Sequence, residues 1–337
     1  MLMITDPRKD LPSFADVEDA AARLASVTVR TPLLRNEELD RLIGAPVWIK
    51  PETLQRTGSF KMRGAWNRIS RIPEADRSRG VVAFSSGNHA QGVAESARLL
   101  GMRATIVMPA DAPQSKIAST RARGAEVRLY DRVKESREAI ANEIADKSGA
   151  TTIRPFDDAW IMAGQGTVGL EAAQDANAMG VTFDSLICNA SGGGLLAGVA
   201  IAFETLQPAT KVYAGEPAGH DDLIRSLEAN RIVANEPGIR SIADALMSPE
   251  PGVLPFEIHK RRVTGGFTAT NDQILDAMSF AFHRLKLVVE PGGAVSLAAL
   301  LFNRVRFVGA GPILVILSGG NVDADVFAAA ISRPPLV

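Results

Sequence analysis

Seven short apolar runs, each set apart from the next by polar or helix-length sequence, constrain this chain more than any other feature. They lie at 47–49, 81–84, 104–108, 127–130, 186–188, 212–214 and 313–317, are rich in Val and Ile, and are bounded by Gly, Pro, Ser or Asn. Helical patterns occupy 88–100, 114–123, 134–146, 165–178, 271–287 and 294–303. Strands that are apolar on both sides and separated by helices form parallel sheets covered on both faces. The alternation therefore predicts an α/β protein built on parallel sheets. The segment 81–130 holds three strand–helix steps and reads as a compact parallel unit of its own. At 337 residues the chain is long enough for two domains of roughly 100–200 residues. No linker, low-complexity tract or repeat marks a boundary. Grouping the strands alone gives a large domain from 1–79 and 156–337 and a small one at 80–155.

Charge and cysteine usage narrow the function classes. Thirty-seven Lys and Arg face 38 Asp and Glu, a net of -1. Such a balance carries no global field for nucleic acid or acidic membrane. The one tight basic run, Lys260-Arg261-Arg262, leads into a short strand at Val263 and reads as a solvated strand end. The single cysteine, Cys188, excludes an internal disulfide framework and a cysteine-built metal site, and suits a reducing compartment. Residues 1–21 carry charges early and lack the long apolar core of a secretory signal. No run reaches the roughly 18 apolar residues of a membrane-spanning helix. A cytoplasmic location is the resulting expectation.

The 29 glycines are slightly above the usual share, about 7%, and several cluster where strands hand over to helices. The first amides of a helix lack internal partners and point, with the dipole, at any anion placed there. The strongest cluster is Ser191-Gly192-Gly193-Gly194-Leu195, directly after the 186–188 strand. Three glycines in a row suit backbone that wraps an oxygen-rich group, and an ordinary flexible turn is the alternative. No Lys-Ser/Thr pair follows, which excludes a nucleotide-triphosphate loop. Residues 164–169, Gly-Gln-Gly-Thr-Val-Gly, fit the dinucleotide fingerprint letter for letter, but 154–163 does not read as the strand it requires.

Two further strand ends carry polar turns of the same kind, Ser85-Ser86-Gly87-Asn88-His89 and Ser318-Gly319-Gly320-Asn321. The first offers hydroxyl, amide and imidazole donors. In Gln55–Ala65 of the chain, written QRTGSFKMRGA, polar turn residues run into Phe60 and Lys61 at a helix start. The dipole lowers the pKa of a lysine there and burial lowers it further, which suits an amine that forms a Schiff base. Taken alone, Lys61 also looks like a surface lysine. Such turns at the ends of parallel strands converge on one cleft.

Five motifs occur together and in order: SFKMRGA around Lys61, SSGNH at 85–89, SGGGL at 191–195, Glu290-Pro291-Gly292-Gly293 and SGGN at 318–321. With them the chain resembles the fold type II (tryptophan synthase β-like) pyridoxal-phosphate enzymes, in the serine/threonine dehydratase and serine racemase branch, threo-3-hydroxyaspartate dehydratases included. The resemblance runs from about residue 15 to 323. It implies two parallel-sheet α/β domains, the large one binding pyridoxal 5'-phosphate and the small one, mobile, carrying the substrate-carboxylate loop. It also implies a homodimer.

Residue by residue, the resemblance implies that Lys61 holds the cofactor as a Schiff base. Phe60 packs on the ring, Asn88 meets its 3-hydroxyl, and Ser318 meets its nitrogen. Ser191, Gly192, Gly193, Gly194 and Leu195 cradle the phosphate, and Glu290 belongs to the cofactor site. Ser85, Ser86, Asn88 and His89 grip the substrate carboxylate. The implied reaction is β-elimination from a 3-hydroxy amino acid (hydroxyaspartate, serine or threonine), giving a 2-oxo acid and ammonia. Lys61 takes the α-proton. A serine at the ring nitrogen makes a weaker electron sink than a carboxylate would, which suits prompt elimination.

Several details differ within the branch. Ser86 stands where threonine dehydratases often have alanine and racemase-like members serine. A hydroxyl there would sit opposite Lys61 and could exchange a proton, which keeps amino-acid racemisation open beside loop packing. Glu216, the His220 main chain and Asp222 match the branch's divalent-cation loop, for Mg²⁺ or alternatively Ca²⁺ or Mn²⁺; a solvated acidic helix cap is the other reading. Arg137 matches a branch arginine that reaches an acidic side chain of the substrate, and Ser248 a neighbouring hydroxyl. Together they favour hydroxyaspartate over threonine; an ordinary helix-surface arginine is the alternative. Ala245 replaces a racemase glycine over the cofactor, and the short stretch after SGGN leaves out the regulatory domain of biosynthetic threonine dehydratases. His259, His283, Trp66 and Trp160 match no motif and read as packing or surface. Against the lyase stand a β-replacement enzyme of the cysteine-synthase type, a racemase, and a non-catalytic ligand- or dinucleotide-binding module.

Overall fold

The computed structural model describes residues 10–336 apart from 113, 132 and 335. Its ten strands are β1 (Leu34–Arg35), β2 (Val47–Pro51), β3 (Val81–Phe84), β4 (Ala104–Pro109), β5 (Glu126–Tyr130), β6 (Thr151–Thr152), β7 (Ser185–Asn189), β8 (Lys211–Pro217), β9 (Val263–Ala269) and β10 (Ile313–Leu317). They form a six-stranded sheet, β1-β2-β10-β7-β8-β9, and a four-stranded sheet, β5-β4-β3-β6. Every pairing is parallel except β1 with β2. The protein is thus the two-domain, parallel-sheet α/β protein that the alternation predicts. All seven apolar runs are strands; the two-residue β1 and β6 are too short to leave a pattern.

Burial explains the order of the larger sheet. β7 and β10, apolar on both sides, are wholly buried and occupy its middle. Along β10, Ile313, Val315 and Leu317 enter one core, and Leu314 and Ile316 enter the core on the other face. Successive side chains of a strand point to opposite faces, so a continuous apolar run is what a doubly covered strand needs. Each such side chain contributes about 1.5–3 kcal/mol by leaving water.

Three elements differ from expectation. The helix expected from 165 begins earlier and spans Ala159–Ala178, with Asp158 accepting from the amides of Trp160 and Ile161. The dinucleotide-like glycines lie inside this helix. A Cβ on Gly164 would stand 2.7 Å from the Arg63 carbonyl, and one on Gly166 would stand 2.8 Å from the Gly198 carbonyl. Their role is close helix packing, so they form no phosphate loop. The helix expected over 271–287 ends at Phe280 and finishes as a π-turn, Ala281–Leu285, before Lys286 in the left-handed region. Lys260, Arg261 and Arg262 are the last turn of the helix Val253–Arg262 rather than a strand end. Cations there complement the helix dipole.

Candidate active site

The carboxyl ends of β3, β7 and β10, with the turn before Lys61, open on a cavity of about 210 Å³. Thr57 and Gly58 are both left-handed, which folds the chain back just before Lys61. Asn321 donates to the Thr57 carbonyl at 2.7 Å, and the Phe60 amide donates to the Ser318 carbonyl at 3.1 Å. The turn carrying Lys61 is therefore fastened to the Ser318 turn.

Lys61 is the first residue of the helix Lys61–Ile69. Its side chain opens on the cavity, yet enough protein surrounds the amine that burial draws its pKa down to about 8. Its partner is the Pro155 carbonyl at 2.8 Å, and Nζ lies 5.2 Å from the Phe60 ring centre. With its pKa near 8, the amine carries a far larger neutral fraction close to neutrality than an ordinary lysine, as a nucleophile or base requires.

The neighbouring polar groups are tied to one another. Asn88 donates to Glu290 Oε1 at 2.5 Å and accepts from Asn321 at 2.7 Å. Burial pushes the Glu290 carboxyl up to about 8, so it is protonated at neutral pH. Ser318 Oγ accepts from Asn189 Nδ2 at 2.9 Å, which leaves its own O–H to donate. Asn189 also donates to the Gly293 carbonyl and accepts from the Ser296 amide, joining three of the motifs. Its position just before the glycine cluster is the available signal in the sequence, although it lies outside every motif.

The glycine cluster is a helix start. Gly193, at φ 90°, precedes the helix Gly194–Leu206, and Ser191 Oγ accepts from the Ser248 amide at 3.2 Å. Gly192, Gly193, Gly194 and Leu195 line the cavity. Their helix-initial amides and the Ser191 hydroxyl are the donor set that a phosphate dianion needs.

Ser85, Ser86, Asn88 and His89 also line the cavity, just beyond the end of β3. The expected imidazole donor is not there. His89 Nε2 lies 3.0 Å from the Ile153 carbonyl and Nδ1 is buried without a partner. Burial, with the nearby Lys61 charge, draws the ring's pKa down to about 3. A neutral ring has one N–H, and a carbonyl can only accept, so that hydrogen is already used. Arg137 and Ser248 also line the cavity, as does Ala245. Arg137 is half exposed, donates to Glu138 Oε1 at 2.9 Å and lies 5.5 Å from the Phe84 ring centre.

Away from the cavity, Glu216 and Asp222 form a buried acidic pair. The Leu223 and Ile224 amides donate to Glu216 at 3.1 and 2.9 Å, and Asn235 donates to Asp222 at 2.6 Å. Burial and Asp222 raise Glu216 well above the usual carboxyl range, and Asp222 Oδ2 is buried without a partner. The His220 ring is engaged with the Ile239 carbonyl at 3.1 Å. Among the described residues, no three His, Cys, Asp or Glu side chains gather to hold a metal.

Pyridoxal phosphate fits this site on two observations: an amine of lowered pKa in a cavity, and a phosphate-sized donor set on the same cavity. Comparison with known proteins agrees. The family model described as "Pyridoxal-phosphate dependent enzyme" matches residues 25–319, and the chain belongs to that family. It is 43% identical to the L-threo-3-hydroxyaspartate ammonia-lyase of Pseudomonas sp., over 94% of this chain and 98% of that protein. It is 38% identical to the serine racemase of Schizosaccharomyces pombe, over 96% and 98% of the two chains. The crystal structure of the T.th. threonine deaminase superposes with a TM-score of 0.87 at 44% identity, covering 93% of this chain and 99% of that one.

Proposed function

We propose that this chain eliminates the β-hydroxyl of a 3-hydroxy amino acid, releasing a 2-oxo acid and ammonia, and that hydroxyaspartate is its preferred substrate. The observation that carries the reading is Lys61, an amine of lowered pKa on the same cavity as the glycine turn. The ammonia-lyase relative supports the reaction and the substrate. When bound, pyridoxal phosphate supplies an electron sink that acidifies the α C–H bond of an attached amino acid.

The chain's own residues do the rest. Lys61 Nζ would hold the cofactor, and the same amine, when neutral, would take the α-proton. The Ser191–Leu195 amides hold the phosphate, Phe60 packs on the ring, and Asn88, steadied by Glu290 and Asn321, meets the 3-hydroxyl. The Ser318 hydroxyl, oriented by Asn189, would offer the ring nitrogen a neutral donor. Ser85, Ser86 and the main-chain amides of Asn88 and His89 bind the α-carboxylate. Arg137 exchanges Glu138 for the substrate's distal carboxylate, with Ser248 beside it. The test is ammonia and 2-oxo acid release from hydroxyaspartate, serine and threonine. Equal turnover of all three would remove the substrate assignment, and no ammonia from any would remove the reaction.

Racemisation is the second reading, favoured by Ser86 on the cavity wall and by the serine racemase relative. Its measure is the enantiomer recovered beside the oxo acid, and S86A would suppress that product first. Glu216, the His220 carbonyl and Asp222 bind a hard divalent cation, Mg²⁺ before Ca²⁺ or Mn²⁺; the unpartnered Asp222 oxygen supports this. A magnesium-dependent rise in melting temperature, lost in E216Q, is the expected result. The small domain, 80–155, closes over the cavity against 1–79 and 156–337. The enzyme works as a homodimer in the cytoplasm, and its single cysteine, free and buried, suits that reducing compartment. Among the described residues no helix is long and apolar enough to cross a membrane. Sedimentation of the holoenzyme checks the dimer.

A further inference from the structure

We propose that His259 is a positioning residue for the phosphate turn: its Nε2–H fixes the Gly193 carbonyl and so aims the Gly194 amide into the cavity. This rests on the reading that the cofactor phosphate sits at Ser191–Leu195. His259 matches no motif, yet the structure lays its fully buried ring directly against the turn. A Cβ added to Gly193 would collide with His259 Cε1.

Nε2 lies 3.1 Å from the Gly193 carbonyl, which also accepts from the Ala197 amide at 2.9 Å. A carbonyl only accepts, so Nε2 carries the hydrogen. Burial holds the ring neutral, drawing its pKa down to about 3, which leaves Nδ1 bare. Within a trans peptide plane the C=O of one residue and the N–H of the next point in opposite directions. Anchoring the Gly193 carbonyl on the protein side therefore sends the Gly194 N–H the other way. The helix Val253–Arg262 grips the turn twice, because the Gly252 amide at its start donates to the Gly192 carbonyl at 3.0 Å.

Stability alone does not account for this imidazole. Its Nδ1 is buried without a partner, and a single net hydrogen bond does not offset an orphaned buried acceptor. An aliphatic side chain would fill the space without that cost. What the imidazole adds is a second hold on the carbonyl, beside the Ala197 amide, at the free end of the helix where the glycine turn begins.

The test compares dissociation constants for pyridoxal phosphate and for pyridoxal, which lacks the phosphate, on the full chain stripped of cofactor. H259L is expected to weaken pyridoxal phosphate about tenfold, equivalent to about 1.4 kcal/mol, and to leave pyridoxal unchanged. H259Q, which keeps a donor, should recover most of the loss. Equal weakening of both ligands, no weakening, or an H259Q as poor as H259L would each overturn the proposal. Should H259L fail to fold, H259M, donorless but adaptable, carries the same expectation. If the wild-type chain binds pyridoxal phosphate no better than pyridoxal, it is the phosphate-site reading that has failed.

Discussion

Two lysines, Lys50 and Lys61, sit in the same part of the molecule and have opposite surroundings. Lys50, on β2, is wholly buried; it donates to Glu171 at 2.7 Å and to the Thr31 carbonyl at 2.6 Å. Arg63, two residues beyond Lys61, is equally buried and bonds both Glu52 and Glu171. Burial works against the charge on Arg63, but the two carboxylates outweigh it and raise its pKa. The same carboxylates partly offset the burial that lowers Lys50. Two cations and two anions thus close a neutral set. Among the described residues, no carboxylate bonds Lys61, whose hydrogen-bond partner is a carbonyl beside a cavity. The difference separates a charge that holds helices and strand together from an amine kept available for chemistry.

The largest effect should come from Lys61→Ala. Turnover should fall by roughly 10³-fold or more and the visible absorbance of the lysine-bound cofactor should vanish, while the melting temperature of the cofactor-free chain holds or rises. A drop in that melting temperature would erase the contrast with Lys50. Arg63→Met should do the opposite, costing about 3–5 kcal/mol in urea unfolding because it strands buried carboxylates. A cost below about 1 kcal/mol would mean the set is not the brace described above.

Arg137 extends the contrast to a third basic residue. Its surface partner, Glu138, is weakly held compared with the buried pairs of Arg63. In R137A, kcat/KM for hydroxyaspartate should fall about tenfold to a hundredfold, with serine turnover little changed; parallel losses on both substrates would remove its specificity role.

The last effect concerns pH. Glu290 has its pKa raised from 4.5 to about 8, so its proton is held more tightly folded than unfolded. Its contribution to stability is complete below about pH 4.5 and fades as pH rises to about 8. E290Q should flatten that decline in the cofactor-free protein, and matching melting profiles for the two proteins would contradict the shift.

Much of the site was legible because its parts are local. A strand followed by Ser-Gly-Gly-Gly, or by Ser-Ser-Gly-Asn-His, states its turn within five residues. The brace was not legible: Lys50, Glu52, Arg63 and Glu171 meet only when β2 packs beside the helices Lys61–Ile69 and Ala159–Ala178. From sequence His259 reads as packing or surface for the same reason, since Gly193 lies far from it in the chain. At His89 the sequence offers an imidazole, but the Ile153 carbonyl that occupies its hydrogen arrives from elsewhere in the fold.

The sequence by itself determined the parallel sheets, through runs apolar on both sides, and the order of the turns at their ends. Tertiary structure alone decided which charges are satisfied. Whether an amine is spent or available depends on the carboxylates and carbonyls within a few ångströms, and on how much water the fold removes. Lys50 and Lys61 carry the same side chain eleven positions apart in the chain. Only the folded protein gives one of them two carboxylates and the other an open cavity.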